Sequence, residues 1–190
     1  MVRLPASLER KLQELFPRVR ERERFVADVI RQALTQGETS EEPISVGGVL
    51  HLFTDGGARG NPGQAAIGCV LEDPVRGTVL KEHMERIGVT TNNVAEYRAL
   101  VIGLTLAQRF HPNKLVCHLD SELVVRQLSG QYRVRVPSLQ PLVEEIQTLA
   151  AEFPETTFVH IPRSDNHRAD ALVNKALDEL PAPHYEKPAS

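Results

Sequence analysis

The chain contains no tryptophan, two cysteines, and only 5% aromatic residues among its 190. Two cysteines exclude a disulfide-dense secreted scaffold. Both, Cys69 and Cys117, sit in apolar runs (AAIGCVL and KLVCHL) and read as small buried hydrophobes. No paired Cys/His spacing points to zinc. Long apolar runs are missing too. No stretch approaches the roughly 20 residues that cross a bilayer. The opening MVRLPASLERKLQEL has no apolar signal-peptide centre. These absences lead to the expectation of a soluble, cytoplasmic protein without a membrane partner. Apolar residues make up 41% of the chain, enough for an ordinary core.

Charge of one sign is not in large excess, but it is uneven. Residues 1–40 carry eight Lys/Arg against six Asp/Glu, a balance of +2; residues 41–190 carry 14 against 19, a balance of −5. An acidic domain does not grip nucleic acid by itself. It does so if its carboxylates hold divalent cations, which invert the local charge.

Two helices at 3.6-residue spacing are predicted over 1–36, around Leu8, Leu12, Leu15 and around Phe25, Val29, Ile30. The polar GETSEEP stretch falls in a linker, 37–45. A main domain is expected over 46–180, with a tail at 181–190. That domain opens with three strand-like runs, Val46–Thr54, Gln64–Glu72 and Thr78–Ile87. A long helix follows at about Asn93–Phe110, stopped by Pro112. Then come a strand (Lys114–Asp120), a short helix (Ser121–Leu128), a helix (Ser138–Phe153), a strand (Thr156–Ile161) and a last helix (Asn166–Leu180). The order βββαβααβα implies an α/β fold, a five-stranded mixed sheet with helices on its faces.

Four acidic residues fall at strand ends and near helix starts. Asp55 ends the first predicted strand and Asp120 the fourth. Glu96 and Asp170 lie early in the long and last helices. Such positions meet at one edge of an open sheet. Each also has a local explanation. Asp55 before Gly56 and Gly57 fits a turn starter. Glu96 fits a complement to the helix dipole. Asp120 with Ser121 fits a helix cap, and Asp170 has a similar local use. Together they fit an oxygen-donor site for Mg²⁺ or Mn²⁺. Two such ions, about 3.5–4 Å apart, activate a water and stabilise a leaving oxygen, the chemistry of phosphodiester hydrolysis.

The runs TDGGARGNPG, TNNVAEYRAL, HLDSELVVRQL and IPRSDNHRADALVNKAL, in this order, resemble the type 1 ribonuclease H family. The similarity is to its short form, without the basic protruding helix, and covers about Val46–Leu180. It implies the family's five-stranded mixed sheet. It implies cleavage of the RNA strand of RNA–DNA hybrids, leaving 5′-phosphate and 3′-hydroxyl ends, with two Mg²⁺ or Mn²⁺ ions. Asp55, Glu96, Asp120 and Asp170 fall on the family's catalytic, metal-holding carboxylates. Gly56, Asn61, Asn92, Asn93 and Ser121 fall on its substrate contacts, with Thr54 flanking a ligand. Asn92 or Asn93 equally fits a helix N-cap.

The family's long form has a His before the last Asp. Here two residues compete for that place, Arg163 and His167, while His160 sits within a predicted strand. Tyr132, Arg133 and Arg135 stand where the protrusion is missing and fit either phosphate contacts or a solvated loop. Residues 1–36 resemble a ribbon-helix-helix module, which implies a homodimer through the N-terminal segment and DNA contacts; a plain helical hairpin fits as well. Two other functions stay open: a nucleic-acid-binding or regulatory protein built on that module, and a related nuclease acting on double-stranded RNA or DNA.

Overall fold

A computed structural model describes residues 48–179. The expected N-terminal hairpin, the linker and the tail lie outside the described residues. The described elements are β1 (Val49–Gly60), β2 (Gly63–Asp73), β3 (Thr78–Thr90), α1 (Asn92–Gln108), β4 (Lys114–Leu119), α2 (Glu122–Leu128), α3 (Gln140–Ala150), β5 (Thr156–His160) and α4 (His167–Glu179). Single 3₁₀ turns at Pro137–Leu139 and Arg163–Asn166 lead into α3 and α4. The five-stranded sheet runs β3-β2-β1-β4-β5. β1, β2 and β3 pair antiparallel; β1, β4 and β5 pair parallel. The βββαβααβα order is the one the sequence pattern predicts.

Alternation builds the sheet faces. Leu50, Leu52, Thr54 and Gly56 of β1 are buried, with half-buried residues between them. Residues 65–71 of β2 are buried without a break, because α1 packs on β1 and β2 while α4 packs on β2, β1 and β3. The main core joins Leu50, Leu52, Leu71, Leu100, Leu104 and Leu115. Each fully buried leucine contributes about 1.5–3 kcal/mol. A second cluster under α4 joins Ala66, Val173, Ala176 and Leu177. Cys69 and Cys117 are free and buried among these apolar groups.

One expectation needs correction. The first strand does not end at Asp55; it runs on to Gly60, and Gly56, Gly57 and Ala58 pair with Ile67, Ala66 and Ala65. The turn itself is only Asn61-Pro62, joined by a cis peptide bond and flanked by Gly60 at φ 102°. Glycine-rich sequence suggests a turn locally, but the ladder with β2 overrides it. Gly56 serves a different need: a Cβ there would stand 2.2 Å from the backbone carbon of Ala95 in α1. Only a residue without a side chain lets that helix lie on the strand.

Candidate active site

Asp55 sits mid-strand on β1, paired with Gly68 of β2. Gly68 is the second close approach: its Cβ would stand 2.4 Å from the carbonyl oxygen of Ala169 in α4. The next residue after Ala95 is Glu96, and the next after Ala169 is Asp170. Two glycines beside Asp55 therefore seat two helices, and each helix delivers a carboxylate. The fourth, Asp120, directly follows the last residue of β4. Phe53 pairs with His118, so Asp120, two residues further on, comes level with Asp55. Asp55, Glu96, Asp120 and Asp170 line one open cleft, together with Gly56, Asn92, Ser121, Arg163 and Asn174.

Burial and mutual repulsion act on these acids. Burial, then Asp120 and Asp170, push the Asp55 carboxyl up to about 6, against a hydrogen bond from the Gly56 backbone and the Arg163 charge. Burial pushes Glu96 up to about 7; a hydrogen bond from Ser121 opposes it, and Asp120 and Asp55 add to the rise. Arg163 answers part of this charge. Its Nη2 donates to Asp170 Oδ1 at 2.7 Å, and Asp170, Asp55 and Asp120 all hold it firmly protonated. The donors are all hard oxygens, the set that suits Mg²⁺ or Mn²⁺. A divalent cation relieves the repulsion recorded at Asp55 and Glu96, so the residues fit the group. Among the described residues, no three His, Cys, Asp or Glu side chains already form a closed metal-ligand group.

Ser121 precedes α2 but makes no side-chain cap there; its hydroxyl donates to Glu96 instead. The cap of α1 is neither Asn92 nor Asn93 but Thr91, whose hydroxyl accepts from the Val94 N–H at 3.3 Å. α1 has no acidic residue in its first turn, which removes the dipole explanation for Glu96. Asn92 works as a bridge. Its Oδ1 accepts from the Ala58 N–H at 3.0 Å, and its Nδ2 donates to Glu96 Oε1 at 3.5 Å. Its own N–H donates to Asn61 Oδ1 at 3.2 Å, tying the β1–β2 tip to the start of α1. Asn61 and Asn93 are exposed and do not line the cleft.

The structure separates Arg163 from His167. Arg163 lines the carboxylate cleft. His167 lines a different cleft with His51, Phe53 and Arg168, its Nδ1 3.1 Å from the Ser164 carbonyl oxygen. Three residues before Asp170, with α4 starting only at His167, its side chain turns away from the acids. His160 is exposed at the end of β5. Tyr132, Arg133 and Arg135 are exposed outside the cleft, and the Tyr132 hydroxyl accepts from Arg126 at 2.9 Å.

Two residues of this neighbourhood escape sequence reasoning. Asn166, 1% exposed, donates from Nδ2 to the Thr54 carbonyl oxygen at 2.9 Å and pins the start of α4 to β1 beside Asp55. Asn174 donates from Nδ2 to Asp170 Oδ2 at 3.0 Å and to its backbone oxygen at 2.9 Å. The i,i+4 spacing from Asp170 is the one signal in the sequence that points to it.

The sequence profile of the reverse transcriptase-like family matches residues 53–176. The crystal structure of RNase H1 from the halophilic archaeon Halobacterium salinarum is 40% identical, with TM-score 0.68 over 70% of this chain and 100% of that one. The chain belongs to the ribonuclease H family. A second ribonuclease H neighbour is LC11-RNase H1, isolated from compost and solved in complex with RNA/DNA hybrid; it is 46% identical, with TM-score 0.65 over 68% of this chain and 97% of that one. A bifunctional protein of Mycobacterium tuberculosis is 44% identical over 127 residues, 67% of this chain. The chain spans only 35% of that relative's length. Among the described residues, no helix is long and apolar enough to cross a membrane.

Proposed function

We propose that the protein is a metal-dependent endoribonuclease that hydrolyses the RNA strand of RNA–DNA hybrids, leaving 5′-phosphate and 3′-hydroxyl ends. The catalytic domain is residues 46–180. One observation carries the reading: carboxylates from β1, α1, the end of β4 and α4 line a single cleft, two of them with raised pKa values. Pure binding has no use for clustered anions, which repel a phosphate backbone. The hybrid is favoured over other duplexes because a relative of 46% identity is solved with RNA/DNA hybrid.

Asp55, Glu96, Asp120 and Asp170 would hold two Mg²⁺ or Mn²⁺ ions, which when bound acidify a water and neutralise charge on the phosphodiester. The remaining steps belong to the chain. Asp55 stands between the other acids and answers to both Asp120 and Asp170. Ser121 opposes the rise that burial imposes on Glu96, and Asn92 orients it through a bond to Oε1. Arg163, at the exposed rim of the cleft, offers a planar guanidinium to the scissile phosphate or its leaving oxygen. Asn92 and the Gly56–Ala58 backbone face the sugar edge, where a 2′-hydroxyl distinguishes RNA from DNA. Asn61 and Asn93, exposed at the hairpin tip and the start of α1, extend that contact along the strand.

The test is a panel of labelled substrates of one sequence with Mg²⁺ or Mn²⁺: hybrid, single-stranded RNA, RNA duplex and DNA duplex. The expected result is cutting of the RNA strand of the hybrid alone. Equal cutting of the RNA or DNA duplex would replace hybrid specificity with a broader nuclease.

A further inference from the structure

Asp170 is held at both oxygens, by two side chains of different character. Arg163 Nη2 takes Oδ1 at 2.7 Å, and Asn174 Nδ2 takes Oδ2 at 3.0 Å. We propose that Arg163 is a displaceable counterion of Asp170: its guanidinium occupies Oδ1 in the metal-free protein and gives that oxygen up to a divalent cation, while Asn174 keeps the carboxylate in place from Oδ2. The inference rests on the reading of the cleft as a divalent-cation site.

The two partners differ in every property that matters for exchange. Asn174 is neutral, so it does not repel an incoming cation. It lies one helical turn from Asp170 on α4, and the same amide is anchored on the Asp170 backbone oxygen at 2.9 Å. That short tether makes it a fixed point. Arg163 carries a full charge and reaches in from the separate 3₁₀ turn before α4. Its side chain is 79% exposed, against 28% for Asp170. An exposed ion pair of this kind is weak, because water and salt screen it and the long side chain regains freedom on release. A guanidinium and a divalent ion cannot share one carboxylate oxygen without strong repulsion at close range. Filling the site therefore releases Arg163 toward the open mouth of the cleft, where a phosphate would lie. The charge that neutralises the acids before the ion arrives is then available to the substrate afterwards.

The test is titration calorimetry of the full chain with Mn²⁺, without nucleic acid, at low ionic strength. Arg163→Gln removes the competing charge and keeps an amide donor; Mn²⁺ is expected to bind it roughly two- to fivefold more tightly than the wild type. Asn174→Ala frees Asp170 to turn and is expected to weaken binding by roughly two- to fivefold. Unfolding midpoints of both variants, close to the wild type, separate these effects from loss of fold. Unchanged or weaker binding by Arg163→Gln overturns the displacement, and unchanged binding by Asn174→Ala overturns the anchoring. If the wild type cuts hybrid and binds Mn²⁺ while neither variant shifts the affinity, this inference alone is lost. If the wild type binds no Mn²⁺, the divalent-cation reading is lost with it.

Discussion

Gly56 lies directly under the backbone of Ala95, at a distance of 2.2 Å from where its Cβ would stand. The obstacle is helix backbone, which has no rotamer to give way. Gly56→Ala is expected to lift α1 from the sheet, costing about 1–3 kcal/mol or more by overpacking, and to move Glu96 from the cleft. Gly57→Ala is the control. Its Cβ would meet the Val173 side chain at 3.1 Å, a contact that a small shift relieves. Urea unfolding of both variants checks the difference.

Asn166 is expected to be among the costliest polar residues to remove. It is almost fully buried and bonds the Thr54 carbonyl oxygen. Asn166→Ala leaves a buried acceptor with one partner fewer, about 1–3 kcal/mol. Asn166→Asp does not rescue it, since a carboxylate cannot donate and adds charge beside Asp55. Denaturant melts of the two variants, read with the cleavage rate, check this.

Ser121 is expected to act on the acid limb of the pH–rate profile through Glu96. Its hydrogen bond favours the ionised form of Glu96 and pulls down a pKa that burial has pushed up to about 7. Ser121→Ala removes that opposition, so Glu96 stays protonated to higher pH. The acid limb of kcat/KM is expected to move to higher pH, with the rate recovering on the alkaline side. An unmoved limb would detach Ser121 from Glu96.

Stability of the metal-free protein follows the same groups. The folded pKa values of Asp55 (about 6) and Glu96 (about 7) lie above the ordinary 3.8 and 4.5. Between those limits the folded state binds more protons than the unfolded one. Their contribution is fully present below about pH 4 and is lost as pH rises through 6 to 7. With a discount for partial exposure, the pair accounts for roughly 2–4 kcal/mol. Urea melts in chelator at several pH values, compared with Glu96→Gln, measure it; the variant is expected to flatten the decline. Added Mg²⁺ restores stability near pH 7 by binding the folded state.

Much of this site is legible in the order of the amino acids. The acidic residues stand out because each follows or opens an apolar element, and Ala95-Glu96 and Ala169-Asp170 carry the small residue that close packing needs. The extent of β1 is not legible, because TDGGARG carries turn chemistry and its strand character comes from pairing with β2, across the hairpin. The choice between Arg163 and His167 depends on where α4 begins, and a shift of a few residues turns a side chain to another cleft. Asn166 and Asn174 carry no strong local pattern that marks them. Their roles arise from contacts with Thr54, 112 residues away, and with Asp170, one turn away.

The most direct measurement is cleavage of an end-labelled RNA–DNA hybrid with Mg²⁺ or Mn²⁺ by the wild type beside Asp55→Asn and Asp120→Asn. Both variants keep the size of the side chain and remove its charge. The expected result is an RNA strand cut to 5′-phosphate and 3′-hydroxyl ends by the wild type only, dependent on the cation, with both variants slower by about a thousandfold, on the scale of losing one principal transition-state contact. Cleavage at equal rates by wild type and variants, or cleavage undiminished in chelator, would contradict a carboxylate-held cation site in this cleft.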